Sequence, residues 1–192
     1  MQATDEDILL IQATIRGSRP AFQQLVERYQ HFVFTIAFKM LRSREEAEEV
    51  AQDVFLKVYK TLGSYEKKAK FSTWLYTVTY RTAIDTARKK QLWTDSIDDD
   101  AHFLQIENTE DDPLQEMQQS DLQSQIQLII NRLKPEDATL ITLFYLNEKT
   151  IKEISDITDL TETNIKTKLH RIREGLREHF NEHLKAEIQD FL

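Results

Sequence analysis

Between Thr150 and Arg177 apolar residues recur at a helical period, stop, and recur again. Ile151, Ile154 and Ile157 fall on one face of a first predicted helix. Ile165, Leu169, Ile172 and Leu176 follow at intervals of four, three and four residues, which makes one apolar stripe on a second. Thr150 with Glu153 three residues on is a capping box for the first helix. Thr161 suits the start of the second, because its hydroxyl can accept a bond from an otherwise unpaired backbone N–H. Two such helices with a tight break at Asp159-Leu160 form the pattern of a helix-turn-helix. The polar face of the second carries Thr163, Asn164, Lys166, Thr167, His170, Arg171 and Arg173. A recognition helix needs that division: an apolar back to dock, short polar groups to reach base edges, and cations to reach phosphates. A charged amphipathic helix pair without a ligand would show the same period.

The same periodicity organises the rest of the chain. Residues 5–16 predict a short helix, ended by Gly17 and Pro20. Phe22, Leu25, Val26, Tyr29, Val33, Ile36, Ala37 and Met40 predict a helix over 21–41 with its aromatics in the core. Ser43 and Glu46 read as a second capping box, opening a helix over 45–62. Val50, Val54 and Val58 face inward there, and Glu45, Glu48, Glu49, Gln52 and Asp53 make an acidic and amide surface. A solvated helix start, where the dipole favours acids, accounts for that surface equally well. Residues 63–70 form a basic break. Ser72 or Thr73 can then cap a fourth helix running to about residue 91, with Phe71 stapled to Leu75 or Tyr76 and Trp74 in the core. This helix interleaves Tyr76, Tyr80, Arg81, Arg88, Lys89 and Lys90. Aromatics among cations suit single-stranded nucleic acid, since stacking accepts any base and cations follow the backbone. A core helix with a basic last turn is the plainer account.

From 93 to 116 the periodicity lapses, and the stretch holds nine acidic residues and no Lys or Arg. We read residues 93–118 as a flexible acidic linker between two domains, 1–92 and 119–180, with a helical tail at 181–192. Helices are expected over 114–133 and, after Pro135, over 136–146 with Leu140, Leu143 and Phe144 inward. The fold class expected is all-α.

Composition narrows the function. The net charge of −8 opposes a simple DNA-binding domain, yet the linker alone accounts for it and the remainder is nearly neutral. The absence of cysteine excludes disulfides and thiolate metal sites. No apolar run is long enough for a membrane span and no signal peptide is evident, so a cytoplasmic protein is expected. No catalytic constellation is evident and no cofactor is expected. His179, Glu182 and His183 match the H-x-x-E-H spacing of inverted zinc peptidases, but no downstream chain could bring a third ligand. A helical tail is the better account.

Three stretches in order carry a family resemblance: AEEVAQDVFLKVY at 47–59, KFSTWLYTVTYRTAIDTARKK at 70–90, and LKPEDATLITLFYL at 133–146 followed by the helix-turn-helix. Together the chain resembles a bacterial RNA polymerase sigma factor of the extracytoplasmic-function group, over about residues 5–180. The resemblance implies a transcription initiation factor that acts by binding, not as an enzyme. It implies that Glu45, Glu48, Glu49, Gln52 and Asp53 face the clamp helices of the polymerase largest subunit, with a further contact at the flap region. It implies that Ser64, Tyr65, Lys67, Lys68, Lys70, Tyr76, Thr77, Tyr80, Arg81 and Arg88 meet the −10 element and help to open it, where a flipped base must be held against its unstacking cost. Thr161, Thr163, Asn164, Lys166, Thr167, His170 and Arg171 would read the −35 element. The linker would lie in the basic channel that RNA leaves by. Promoter DNA and an anti-sigma factor are the other implied partners. Arg81 stands where many members have Asn, and Asp159 where many have Gly, which leaves the promoter sequence open. The competing reading is a helix-turn-helix activator with an N-terminal effector domain, which would bind duplex DNA without polymerase.

Overall fold

The computed structural model describes residues 5–94, 130–131 and 133–190, the side chains of 5, 91–94 and 178–190 excepted. Among the described residues there are helices and no strands. Trp93 and Thr94 belong to a helix; the rest of the expected linker, and residues 114–129 of the helix expected after it, lie outside the described residues.

Four helices make the first module: α1 (Asp5–Ile15), α2 (Arg19–Leu41), α3 (Arg44–Thr61) and α4 (Phe71–Thr94). Ser18 caps α2 by accepting the Ala21 N–H, and Pro20 sits in the first turn, where its missing N–H costs nothing. Pro20 therefore starts α2 and does not end α1. Arg42 closes α2 in a left-handed conformation, its N–H bonded to Phe38 O at 2.8 Å. Ser43 accepts the Glu46 N–H at 3.3 Å, but the expected capping box is only half made. Glu46 instead reaches across to Lys90 of α4 at 2.9 Å. α1 is fastened to α2 by Asp7, a buried carboxylate that accepts from Arg28 at 2.6 Å and from the Tyr29 hydroxyl at 2.7 Å.

α4 starts a residue earlier than its expected caps. The Trp74 N–H bonds to Lys70 O, so Ser72 and Thr73 lie within the first turn and are buried. Phe71 is inside the helix, not ahead of it as a staple would require, and packs edge-on to Tyr29 and Tyr65. Trp74 is half-buried against Tyr65 and Phe71.

The second module comprises α5 (Pro135–Ile141), a π-helical turn (Thr142–Leu146), α6 (Ile151–Thr158) and α7 (Glu162–Asp190). The capping box at Thr150 and Glu153 is complete in both directions. Asp159 ends α6 at φ 60°, a left-handed position that Asp tolerates better than most residues. Thr161 accepts the Asn164 N–H at 3.2 Å and so starts α7. Ile154 and Ile157 of α6 are fully buried with Ile165 and Leu169 of α7.

The modules are not held apart. α2 packs on α5, and α4 packs along α6. One apolar core runs from Val33, Ile36, Val54 and Leu75 to Leu140, Leu143, Ile154 and Ile165. Lys39, buried in α2, donates to Asn131 Oδ1 at 2.8 Å, and Arg42 donates to Leu133 O.

Candidate polymerase and nucleic-acid interfaces

The acidic face of α3 is exposed over its whole length. Valines at 50, 54 and 58 turn the helix's back to the core, which leaves Glu45, Glu48, Glu49, Gln52 and Asp53 in solvent. The carboxylate of Glu48 is held by Arg44 at 3.1 Å, one turn earlier. Beside this face an open groove of about 400 Å³ is lined by Gln30, His31, Phe34, Ala51 and Gln52. Leu56 and Tyr59 continue the exposed surface toward the end of α3. An acidic strip flanked by exposed apolar groups suits a basic, partly apolar protein surface.

The polar front of α7 is equally open. Thr161, Thr163, Asn164, Lys166, Thr167, His170 and Arg171 are all exposed, while Ile165, Leu169 and Ile172 are buried behind them. The division between back and front therefore falls where the sequence period places it.

The surface expected to meet the −10 element splits in two. Ser64, Lys67, Lys68 and Arg88 are exposed. Lys67 adopts a left-handed φ of 59°, and Lys68 pairs with Glu66. The Tyr65 hydroxyl donates to Ala69 O at 2.6 Å and so braces the loop. Lys70, Tyr76, Thr77 and Arg81 instead meet the second module, and Tyr80 is buried. Lys70 Nζ lies 3.0 Å from Glu153 Oε1, and Arg81 reaches both oxygens of Asp159 at 3.1 and 3.2 Å. Thr77 Oγ1 lies 3.4 Å from Asp156 O. Tyr76 and Tyr80 are buried, 3% and 8% exposed, and burial pushes both phenols above their ordinary range. In this arrangement neither ring is open to a base.

Glu153 is the hub of the contact. Burial alone would raise its carboxyl, but the Thr150 N–H, Lys70, the Thr150 hydroxyl and nearby Lys149 outweigh that and hold it at about 2. Lys149 has no counterpart in the sequence reading. It sits in the loop before α6, is 5% exposed, and donates to Ser72 Oγ at 2.8 Å with its ammonium 4.9 Å from the centre of the Tyr76 ring. Burial lowers its pKa, with Glu153 opposing. Periodicity could not find it, because a loop residue has no face. Its one sequence signal is a cation immediately before a capping box.

Among the described residues no group of three or more His, Cys, Asp or Glu could hold a metal. The side chains of His179, Glu182 and His183 lie outside the described residues. No described helix is long and apolar enough to cross a membrane.

Comparison with known proteins bears on these surfaces. Residues 25–92 match the family model for sigma-70 region 2, and residues 123–176 match that for sigma-70 region 4. The chain is 31% identical to the ECF RNA polymerase sigma factor SigW of Bacillus subtilis, over 84% of this chain and 90% of that one. It is 30% identical to the ECF RNA polymerase sigma-E factor of Escherichia coli K12, over 91% of this chain and 93% of that one. Among solved structures it resembles the sigma factor RpoE of Bartonella quintana, crystallised with the anti-sigma factor NepR. The TM-score is 0.64 at 18% identity, covering 83% of this chain and 96% of that one. CnrH, in complex with the cytosolic domain of CnrY, gives a TM-score of 0.63 at 16% identity over 93% of this chain and 99% of that one.

Proposed function

The chain belongs to the extracytoplasmic-function group of the sigma-70 family, and on that premise we propose how its surfaces divide the work of starting transcription. It is a transcription initiation factor that directs RNA polymerase to promoters. Nucleotidyl transfer belongs to the polymerase, and the factor contributes binding energy alone.

The exposed strip of Glu45, Glu48, Glu49, Gln52 and Asp53 binds the clamp helices of the polymerase largest subunit through its acidic and amide groups. The second module seats on the flap region. The front of α7 enters the major groove of the −35 element. Asn164 is a hydrogen-bonding partner for a base edge, and Lys166 and Arg171 are partners for phosphates. Ser64, Tyr65, Lys67, Lys68, Lys70 and the face of α4 bearing Tyr76, Thr77, Tyr80, Arg81 and Arg88 hold the opened −10 strand. The observation that carries the reading is the open front of α7 behind a fully packed back, in a chain that holds both family regions in order.

Domain boundaries at 1–92 and 119–180, with a connecting acidic segment at 93–118 and a tail at 181–192, fit this division. The factor works in the cytoplasm, where polymerase is. The two solved relatives were each captured with a binding partner, and an anti-sigma partner is proposed here too.

Run-off transcription on a library of promoter fragments tests the reading. Bacterial core polymerase with this protein should yield new transcripts whose templates share two motifs at fixed spacing from the start site. Core polymerase that neither binds the protein nor gains transcripts would overturn it. Tight duplex binding without polymerase would favour an activator instead.

A further inference from the structure

We propose that Asp7 of α1 is a positioning residue for the loop at 64–70, and that through this loop it sets which −10 bases are accepted. The inference rests on the reading of that loop as part of the −10 surface. Asp7, Ile11 and Thr14 follow at intervals of four and three, and all three are buried. A carboxylate therefore stands where the inward stripe of α1 calls for an apolar residue. Docking the helix does not require it, since a buried carboxylate, even a paired one, adds little stability over an apolar group of the same volume. What it adds is direction. Asp7 takes Arg28 on one oxygen at 2.6 Å and the Tyr29 hydroxyl on the other at 2.7 Å, and so fixes the far end of the Tyr29 ring.

From that ring a row of contacts runs to the loop. Tyr29 stands edge-on to Phe71 with ring centres 5.4 Å apart, and Phe71 stands edge-on to Tyr65 at 5.7 Å. Trp74 closes the cluster, 5.4 Å from Tyr65 and 5.9 Å from Phe71. Tyr29 and Phe71 are buried, and in a close-packed row a shift of one ring displaces the next. Tyr65 is the last member, and its hydroxyl spans the loop to Ala69 O at 2.6 Å. α1 also touches the turn at Leu62–Ser64 that leads into the loop. Burial raises the Tyr65 phenol and the charge of Asp7 adds to it, so the carboxylate lies within electrostatic reach of the loop. The loop needs bracing: Lys67 holds a φ of 59°, and a left-handed residue other than glycine persists only where its surroundings over-determine it.

The test uses the full-length protein with core polymerase on one promoter, each position of its −10 element written in turn as all four bases. Tyr29→Phe removes the hydroxyl link and keeps the ring. Asp7→Ala removes the anchor. Asp7→Asn keeps an oxygen for the Tyr29 hydroxyl, while Arg28 retains Glu6 at 2.9 Å. In Tyr29→Phe and Asp7→Ala the run-off ratio between the preferred base and the next should fall about fivefold at the positions the loop holds, well inside the loss that a misplacement of about 1 Å brings. In Asp7→Asn the ratio should match the parent. A smaller folded fraction scales every template alike, so lost stability alone does not move these ratios. Trp74 reports the loop without polymerase: in a Trp93→Phe background its emission should shift with Tyr29→Phe and Asp7→Ala and stay with Asp7→Asn. Base ratios or Trp74 emission equal to the parent in both Tyr29→Phe and Asp7→Ala would overturn the proposal and leave the −10 reading standing. A parent that supports no transcription with core polymerase, or transcribes all −10 variants alike, would instead remove that reading and the proposal with it.

Discussion

Glu153 serves two helices at once. Its carboxylate closes the capping box at the start of α6 and takes the ammonium of Lys70 from the first module. Thr150→Ala removes one half of the box, and we expect a loss of about 1 kcal/mol, read as a lower midpoint in thermal unfolding. The pH dependence follows from the sign of the shift. A carboxyl held at about 2, below its ordinary value, adds stability that is complete above the usual carboxylate range and is lost as pH falls toward 2. Urea unfolding of the parent and of Glu153→Gln should therefore differ more at about pH 7 than at about pH 3. An equal gap at both would show that the ionised form is not what the site stabilises. The capping box itself was legible, because Thr150 and Glu153 are neighbours in sequence. The charge partners were not, because Lys70 and Lys149 come from a distant break and a loop, and only packing brings them together.

Elements divide into those that carry the fold and those that carry the partners. Ile165→Ala on the buried back of α7 should cost about 2–4 kcal/mol, as a cavity in a packed core does. Lys166→Ala on its front should leave the unfolding midpoint unchanged, and should lower the salt slope of holoenzyme binding to promoter DNA by about 1. Asp7→Ala should cost about 2–3 kcal/mol, since the Tyr29 hydroxyl is left buried without its acceptor. Heat-induced unfolding followed by circular dichroism separates these three. At this scale the sequence was most readable: helical period gave the helices, and the left-handed break at Asp159 fell where the pattern stopped. Three local misreadings share one cause. Pro20 sits inside α2, Glu46 crosses to Lys90, and Ser72 and Thr73 lie within the first turn of α4. Each residue type has two uses at a helix end, and its surroundings decide between them: the local Ser18 cap for Pro20, a distant helix for Glu46. The π-helical turn at Thr142–Leu146 was hidden for a different reason: its wider turn keeps a helical period while leaving Tyr145 and Leu146 exposed.

Over the whole molecule the charge of −8 opposes DNA, and the packing leaves Tyr76 and Tyr80 buried. Free protein should bind duplex promoter DNA only weakly at physiological salt, and addition of core polymerase should convert this to tight, specific binding in a fluorescence anisotropy titration. Micromolar or tighter binding by the free chain would contradict that expectation. The all-α class and the two-module order were legible because each rests on local periodicity. The contact between modules was not, since no pattern along one helix states which other helix will cover it. That is why Tyr76 and Tyr80 read as aromatics available to bases and are found buried. The Arg81–Asp159 pair carries a consequence for descent. If Arg81 both touches promoter DNA and ties α4 to the turn before α7, it answers to two selective pressures. A lineage that drifts toward a new set of promoters by replacing Arg81 also leaves Asp159 without its guanidinium partner. Substitution at 159 is the nearest remedy, so the two positions should change together among descendants, and paralogues that arise by duplication should inherit them as a matched pair.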